Sequence, residues 1–244
     1  MCGRFTLTTK DFDAMAAQLG ASVLREDVAR YRPRYNIAPT DEHWILRTKQ
    51  EERQLLPAKW GLVNSWATDA KGAFKQINAR AETASKRPSF RDAFVRRRCV
   101  VPADGFFEWL GTKQARRPMW FHDPRGELLL FAGLYESWRD PATEAWQRTF
   151  TIVTTSANEV VAPVHDRMPV ILREGDIDEW LFVPGADAEA QAERAGRLLR
   201  PAAAASLVAT EVSNRVNSVA NDDPACLEPA TAQPSSDDVQ GVLL

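Results

Sequence analysis

The sequence predicts an α+β fold, rich in strands, with a few peripheral helices. Two patterns predict it. Short apolar runs bounded by Gly, Pro, Asn and Asp outnumber stretches with helical spacing. No repeat and no linker interrupts about the first 225 residues, so a single domain is expected. The chain has 244 residues, 44% of them hydrophobic, which is enough apolar material for one sizeable core.

The elements follow in order. Phe12, Met15, Ala16 and Leu19 recur at helical spacing between a cap at Thr8 or Thr9 and a stop at Gly20, which predicts a helix over 10–19. Tyr35-Asn36-Ile37-Ala38-Pro39 reads as a loop or strand end, because Pro39 disfavours helical geometry at Ala38. Strands are expected over 43–48 and 55–60, then a loop over 61–76. A helix is expected over 89–95 and a buried strand over 99–103. Asp104-Gly105 turns into Phe106-Phe107-Glu108-Trp109, a strand with Phe106 inward and Phe107 outward. Further strands are expected over 119–122, 128–134, 150–155, 170–172 and 207–212, and helices over 177–182 and 188–199. From about residue 230 onward Gln, Pro, Ser and Asp dominate, so 230–244 is expected to be a disordered tail.

Composition narrows the function classes. Formal net charge is −2, so no global basic field points to nucleic acid, although a local basic face still can. Of the 31 basic residues 24 are Arg, a bias that suits bidentate phosphate contacts and that genome composition also explains. The three cysteines, Cys2, Cys99 and Cys226, form no C-x-x-C pair and are odd in number, which favours a reducing cytosol over a disulfide framework. The first residues lack the apolar core of a signal peptide, and no apolar run reaches the ~20 residues that span a bilayer. The histidines are not spaced as metal ligands, so no metal and no cofactor are expected.

Candidate chemistry starts at Cys2. Removal of Met1 would leave an α-amine and a thiol on adjacent carbons, with reference pKa values of about 8 and 8.5. Such a 1,2-aminothiol condenses with an aldehyde to an imine, and the thiol then closes a thiazolidine ring. A small second residue also occurs by chance. Gly3 permits close approach and Arg4 can face an anion. Glu108, between bulky aromatics, is either an acid/base of raised pKa or a surface residue of a strand. His165 lies in a polar loop held by Pro163 and Pro169 and can move protons, whereas His43 and His122 lie in apolar strands and read as structural. Asn78, Arg80 and Glu82 alternate, so an extended segment presents them on one face, as any half-buried strand does. Between Arg80 and Arg98 the basic surplus is five, either a solvated helix face or a phosphate-binding strip. Trp60, Trp66 and Trp109 lie near these residues in sequence and either pack in the core or stack on unpaired bases.

Six motifs occur in one order: Cys2-Gly3-Arg4-Phe5, Tyr35-Asn36-Ile37-Ala38-Pro39, Trp60-Gly61-Leu62, Asn78-Ala79-Arg80-Ala81-Glu82-Thr83, Asp104-Gly105-Phe106-Phe107-Glu108-Trp109 and His165-Asp166-Arg167-Met168-Pro169. Together they resemble the SOS response-associated peptidase (SRAP) family over residues 2–229. The resemblance implies a single β-rich SRAP-like domain that senses abasic sites in single-stranded DNA. It implies a covalent thiazolidine crosslink through Cys2 and a self-processing peptidase activity, with lyase activity left open. Under it Cys2 is the nucleophile, Asn78 positions the amine or the sugar, Glu108 moves protons, and His165 assists ring opening or crosslink reversal. Arg4, Arg80 and Arg167 hold phosphates, Trp109 stacks near the DNA, and Asn36 and Pro39 shape the pocket. Trp66 is the candidate wedge, in a segment that departs from relatives carrying a Pro and adjacent tryptophans. Arg87 is the candidate phosphate contact of a loop that also holds Lys86. The implied partner is single-stranded DNA, met by a monomer in the cytoplasm or at the nucleoid, with replication-fork proteins as further candidates and no membrane. The rival class is an N-terminal nucleophile amidohydrolase such as a glutamine amidotransferase, which also begins Met-Cys-Gly.

Overall fold

A computed structural model describes residues 2–112, 115–181 and 185–230. The chain begins with β1 (Phe5–Leu7), α1 (Phe12–Gln18), α2 (Arg25–Val28), β2 (Arg34–Ile37), β3 (Glu42–Lys49) and β4 (Glu52–Trp60). It continues through β5 (Asn78–Arg80), α3 (Ala81–Ala84), α4 (Arg91–Arg96), β6 (Arg98–Ala103), β7 (Gly105–Thr112) and β8 (Ala115–His122). The remaining elements are β9 (Leu129–Arg139), β10 (Trp146–Ser156), β11 (Arg167–Pro169), β12 (Ile171–Leu172), α5 (Ile177–Leu181), α6 (Ala188–Arg197) and β13 (Val208–Glu211).

The strands form two sheets. One runs β13-β8-β7-β1-β2. In the other, β4-β3-β6-β9-β10 closes on itself because β10 pairs with both β9 and β4, making a five-stranded barrel. A closed ring leaves no free edge among its members. Strand β10 runs on past the ring and takes β5 parallel on one side and β11 antiparallel on the other. The barrel interior is aliphatic and aromatic. Phe5 of β1 packs edge-on against His43 and Trp60, and Trp60 stacks on Phe150 at 6.3 Å. These contacts fasten the first sheet to the barrel beside the first residues of the chain.

Most expected elements are found, and the differences have local causes. Helix α1 is capped by Asp11, which accepts from Ala14 N at 2.8 Å, while Thr8 Oγ1 donates instead to Asp104 at 2.6 Å. Gly20 closes the helix at φ +60°. Strands β9 and β10 extend beyond their apolar runs because Arg139, Ser137, Gln147 and Arg148 pair across the hairpin, and their polar side chains carry no apolar signal. Helices α2 and α3, four residues each, are too short for a period to show. Phe107 is not outward: Phe106 enters the main core and Phe107 is equally buried against Val212, Val216 and Cys226, because residues 212–229 return over the outer face of β7. Of the expected tail over 230–244, Ala230 donates to Glu211 O at 3.2 Å and residues 231–244 lie outside the described residues, as does Phe182 of the expected helix over 177–182.

Candidate active site and nucleic-acid groove

Four segments remote in sequence meet at one corner. The β1–β7 pairing, Phe5 opposite Phe106, brings Cys2 and Glu108 together. Strand β10 brings Asn78 and Arg80 of β5 opposite Ile152 and Thr154, and brings Arg167 of β11 opposite Ser156. His165 stands just before β11.

Cys2 is fully buried. Burial pushes its thiol well above the ordinary value, and the negative charge of Glu108 adds to the rise. The resting sulfur is therefore a neutral thiol that needs a base. Asn78 Nδ2 donates to the Cys2 carbonyl at 2.8 Å, and its Oδ1 is buried with no hydrogen-bond partner among the described residues. A buried acceptor left open is costly, and an amine is the donor that suits it. Glu108 is 6% exposed, and burial raises its carboxyl above the usual range, Asp166 adding to the rise and His165 opposing it. A carboxyl so tuned exchanges protons nearer neutrality. At His165, Arg167 N donates to Nδ1 at 2.9 Å, while Asp166 Oδ1 lies 3.0 Å from the same nitrogen. The amide needs a lone pair there and the carboxylate needs a proton. The tautomer that keeps the Arg167 amide bond carries its proton on Nε2, whereas the protonated ring, whose charge opposes the rise at Glu108, donates from Nδ1 to Asp166. The other histidines are held structurally: His43 Nε2 lies 2.8 Å from Pro102 O, and His122 stacks on Trp120.

The expected DNA-contacting residues divide into exposed and committed groups. Arg80 and Arg87 are exposed and make no ion pair among the described residues, although Arg87 stands 6.0 Å over the Phe90 ring. Trp66 is 69% exposed, on a loop pinned by Trp138 Nε1 donating to Ala67 O and Asn64 Nδ2 donating to Ser89 O. Arg167 instead forms a two-bond pair with Glu82, at 2.6 and 2.9 Å, and donates to Thr154 O. Glu82 does not share the extended face of Asn78 and Arg80, because α3 begins at Ala81; it reaches Arg167 from the helix. Arg4 donates to Asn36 Oδ1 and Val216 O and lies 5.7 Å over Trp109. Asn36 is 1% exposed and donates to the carbonyls of Val216, Ser218 and Asn221. Its side chain acts on the site through Arg4 and the 214–222 segment.

Beside Cys2 opens a groove of about 1240 Å³, lined by Gly3, Arg4, Pro39 and Trp109 and, further out, by Arg116, Asn214, Asn217 and Val219. Trp109 Nε1 donates to Asn217 Oδ1 at 2.7 Å, which sets the ring plane. Asn217 lies in the Val212 to Pro229 stretch, whose Val216-Asn217 resembles the end of the family's domain, whereas Arg116 carried no motif in the sequence. Only the pairing of β7 with β8, and the return of the 212–229 segment, brings them to Trp109. A second hollow of about 590 Å³, between α1, the β8–β9 turn and β12, contains none of the candidate residues.

Known proteins resemble this chain over most of its length. The family model of the SOS response associated peptidase (SRAP) matches residues 1–219. The chain is 39% identical over 229 residues to the abasic site processing protein YoqW of Bacillus subtilis, covering 93% of this chain and 99% of that one. It is 32% identical to the abasic site processing protein HMCES of Gallus gallus, covering 94% of this chain and 78% of the relative. Among solved structures, a protein from Bacteroides thetaiotaomicron superposes with a TM-score of 0.82 at 26% identity, covering 94% of this chain and all of that one.

Proposed function

The chain belongs to the SOS response associated peptidase family, and we propose that it processes abasic sites in single-stranded DNA by capturing the sugar aldehyde on Cys2 after Met1 is removed. The relatives' names supply the substrate class. The observation that carries the chemistry is the convergence on Cys2: its carbonyl held by Asn78, a buried acceptor beside it, and a carboxyl of raised pKa within electrostatic reach.

The steps follow from these groups. The freed α-amine, oriented by Asn78 Oδ1, attacks the aldehyde carbon of the ring-opened sugar. One amine proton passes to the carbonyl oxygen, making a hydroxyl; Glu108, protonated, gives its proton to that hydroxyl, and water leaves as the protonated imine forms. Glu108, now a carboxylate, takes the proton from the Cys2 thiol. The sulfur adds to the imine carbon, the C=N electron pair returns to the nitrogen, which keeps its one remaining proton, and a thiazolidine closes. No net oxidation occurs, and one water is lost. His165, with its proton on Nε2, serves ring opening of the sugar and the return reaction. Arg80 and Arg87, exposed and without an ion pair among the described residues, are suited to phosphates and the exposed Trp66 to bases, while the Arg167–Glu82 pair shapes the rim. Where residues precede Cys2, the same groups would serve self-processing that exposes the amine.

The test is incubation with an oligonucleotide carrying one abasic site, followed by denaturing electrophoresis. A shifted band is expected for the wild type and none for Cys2→Ala, nor for protein with a blocked N-terminus. Full-yield crosslinking by Cys2→Ala refutes the reading, and Cys2-dependent ammonia release from glutamine without crosslinking would favour an amidohydrolase.

A further inference from the structure

Strand β13 stands at the end of the order β13-β8-β7-β1-β2, so one of its sides meets no strand of that sheet. Successive residues of an antiparallel strand turn their N–H and C=O groups to opposite sides. Val212 N donates to Pro118 O, which puts Val212, and with it Thr210 and Val208, on the β8 side. Glu211 and Ala209 therefore turn outward. Glu211 has a partner there, since Ala230 N donates to its carbonyl at 3.2 Å. Ser213 N donates to Glu228 O one step earlier, and Val212 bridges Pro229 in antiparallel register. A ladder has thus begun along the open edge, and it runs toward Ala209.

The same direction leads to the hollow of about 590 Å³ that holds none of the candidate residues. Ala203 and Ser206, just before β13, line it, as does Asp123, next to the His122 that pairs with Val208. Its walls are aliphatic, with Leu19, Leu128, Leu130, Leu172 and Leu198. Charged residues form the rim. Arg125 faces Asp123 and Glu127, Arg173 faces Asp176, and Glu174 stands beside them. Arg200 is exposed and makes no ion pair among the described residues.

The chain carries an occupant for both features. Fourteen residues, Thr231 to Leu244, follow Ala230. In the register already begun, Ala232 falls opposite Ala209. Pro234 falls opposite Leu207 and, having no N–H, ends the ladder there. The ten residues that remain reach roughly 33 Å when extended, ample to enter a hollow whose Ser206 wall adjoins Leu207. They carry Asp237 and Asp238 with no Lys or Arg, and Val242-Leu243-Leu244 is the one apolar cluster in an otherwise polar segment. We propose that residues 231–244 latch onto their own domain: 231–233 add a strand to β13, Asp237 and Asp238 pass Arg200, and Val242, Leu243 and Leu244 fill the hollow. The latch does not depend on the abasic-site reading. It covers an edge that would otherwise be open to pairing with another chain. It also tightens the 212–229 segment that covers Phe107 and carries Asn217. Three added residues of strand hold poorly by themselves, so the edge pairing depends on the apolar anchor.

The experiment is amide hydrogen exchange followed by NMR on the full chain, read at the outward N–H of Ala209. Wild type is compared with the double variant Leu243→Asp, Leu244→Asp, with Arg200→Ala and Arg200→Lys, and with Ser236→Asp, which adds a charge without touching the ladder or the apolar cluster. In the wild type Ala209 should be protected, and the double variant should lose that protection by roughly tenfold or more. Arg200→Ala should lower it by roughly twofold to fivefold at low salt, and Arg200→Lys should restore it. Ser236→Asp should match the wild type. Protection of Ile152 in the barrel should stay the same in every variant, which excludes a general loss of stability. An Ala209 amide that exchanges freely in the wild type, or one equally protected in the double variant, overturns the proposal. Protection that disappears on dilution as a dimer dissociates assigns the edge to the tail of a second copy and also overturns the latch within one chain.

Discussion

Replacing Asn36 by Ala should cost stability before it costs anything else. The side chain is buried and makes the equivalent of three hydrogen bonds: the two Nδ2 hydrogens are shared among Val216 O at 3.2 Å, Ser218 O at 3.0 Å and Asn221 O at 2.7 Å, and Oδ1 accepts from Arg4 at 2.8 Å. Ser218 and Asn221 lie near the surface, where water replaces part of the loss, whereas Val216 is buried. A net ~1 kcal/mol per bond, with the charged Arg4 contact somewhat above that and the exposed ones below, sums to about 3 kcal/mol. For a chain of this size that corresponds to roughly 6–12 °C in melting temperature. Thermal and urea melts monitored by circular dichroism measure it. The loss should be accompanied by protease sensitivity around 214–222, since that segment hangs on the same amide. A melting temperature within about 2 °C of wild type, together with weakened DNA binding, would refute the reasoning and make Asn36 a direct DNA contact.

Three further outcomes are expected. Glu108→Gln should slow crosslink formation and also raise the melting temperature at neutral pH. The folded carboxyl titrates above its unfolded value of 4.5 because of burial, so its contribution to stability is full below that value and is lost as pH rises through the folded pKa; the gain from Gln should therefore vanish near pH 4, and a gain independent of pH contradicts it. Arg80→Ala should weaken binding to single-stranded DNA and flatten its salt dependence with little change in melting temperature, whereas Arg167→Ala should lower stability by about 1 kcal/mol or more, because it leaves the Thr154 carbonyl and Glu82 without their donor; equal melting temperatures for the two variants would contradict the division. Gly105→Ala should destabilise by more than about 2 kcal/mol in urea titration, since a Cβ there falls 2.0 Å from Trp120 Nε1 and 2.9 Å from Phe121 O.

Much of the fold was legible in the chain itself. Short apolar runs marked the barrel strands, which are buried on consecutive residues, and Gly20 marked the end of α1. Cys2, Glu108 and His165 were legible as candidates because a thiol beside the chain start, a carboxylate among aromatics and a histidine in a proline-bounded loop each carry their chemistry locally. What those side chains are bonded to was not legible. Arg80 and Arg167 look alike in sequence, yet one is free among the described residues and the other is locked to Glu82, across 85 positions. Arg116 carried no signal at all until β7 and β8 were in register.

The sequence alone determined which segments extend, which residues can react, and that the chain has too little net charge to bind DNA by a global field. Tertiary structure decided which of those residues meet, because β10 pairs with β4, β5, β9 and β11 at once, and such pairings join residues whose separation along the chain leaves no local period to read. It also decided which arginines keep their charge available, since an ion pair or a buried acceptor is a property of the neighbour that packing supplies.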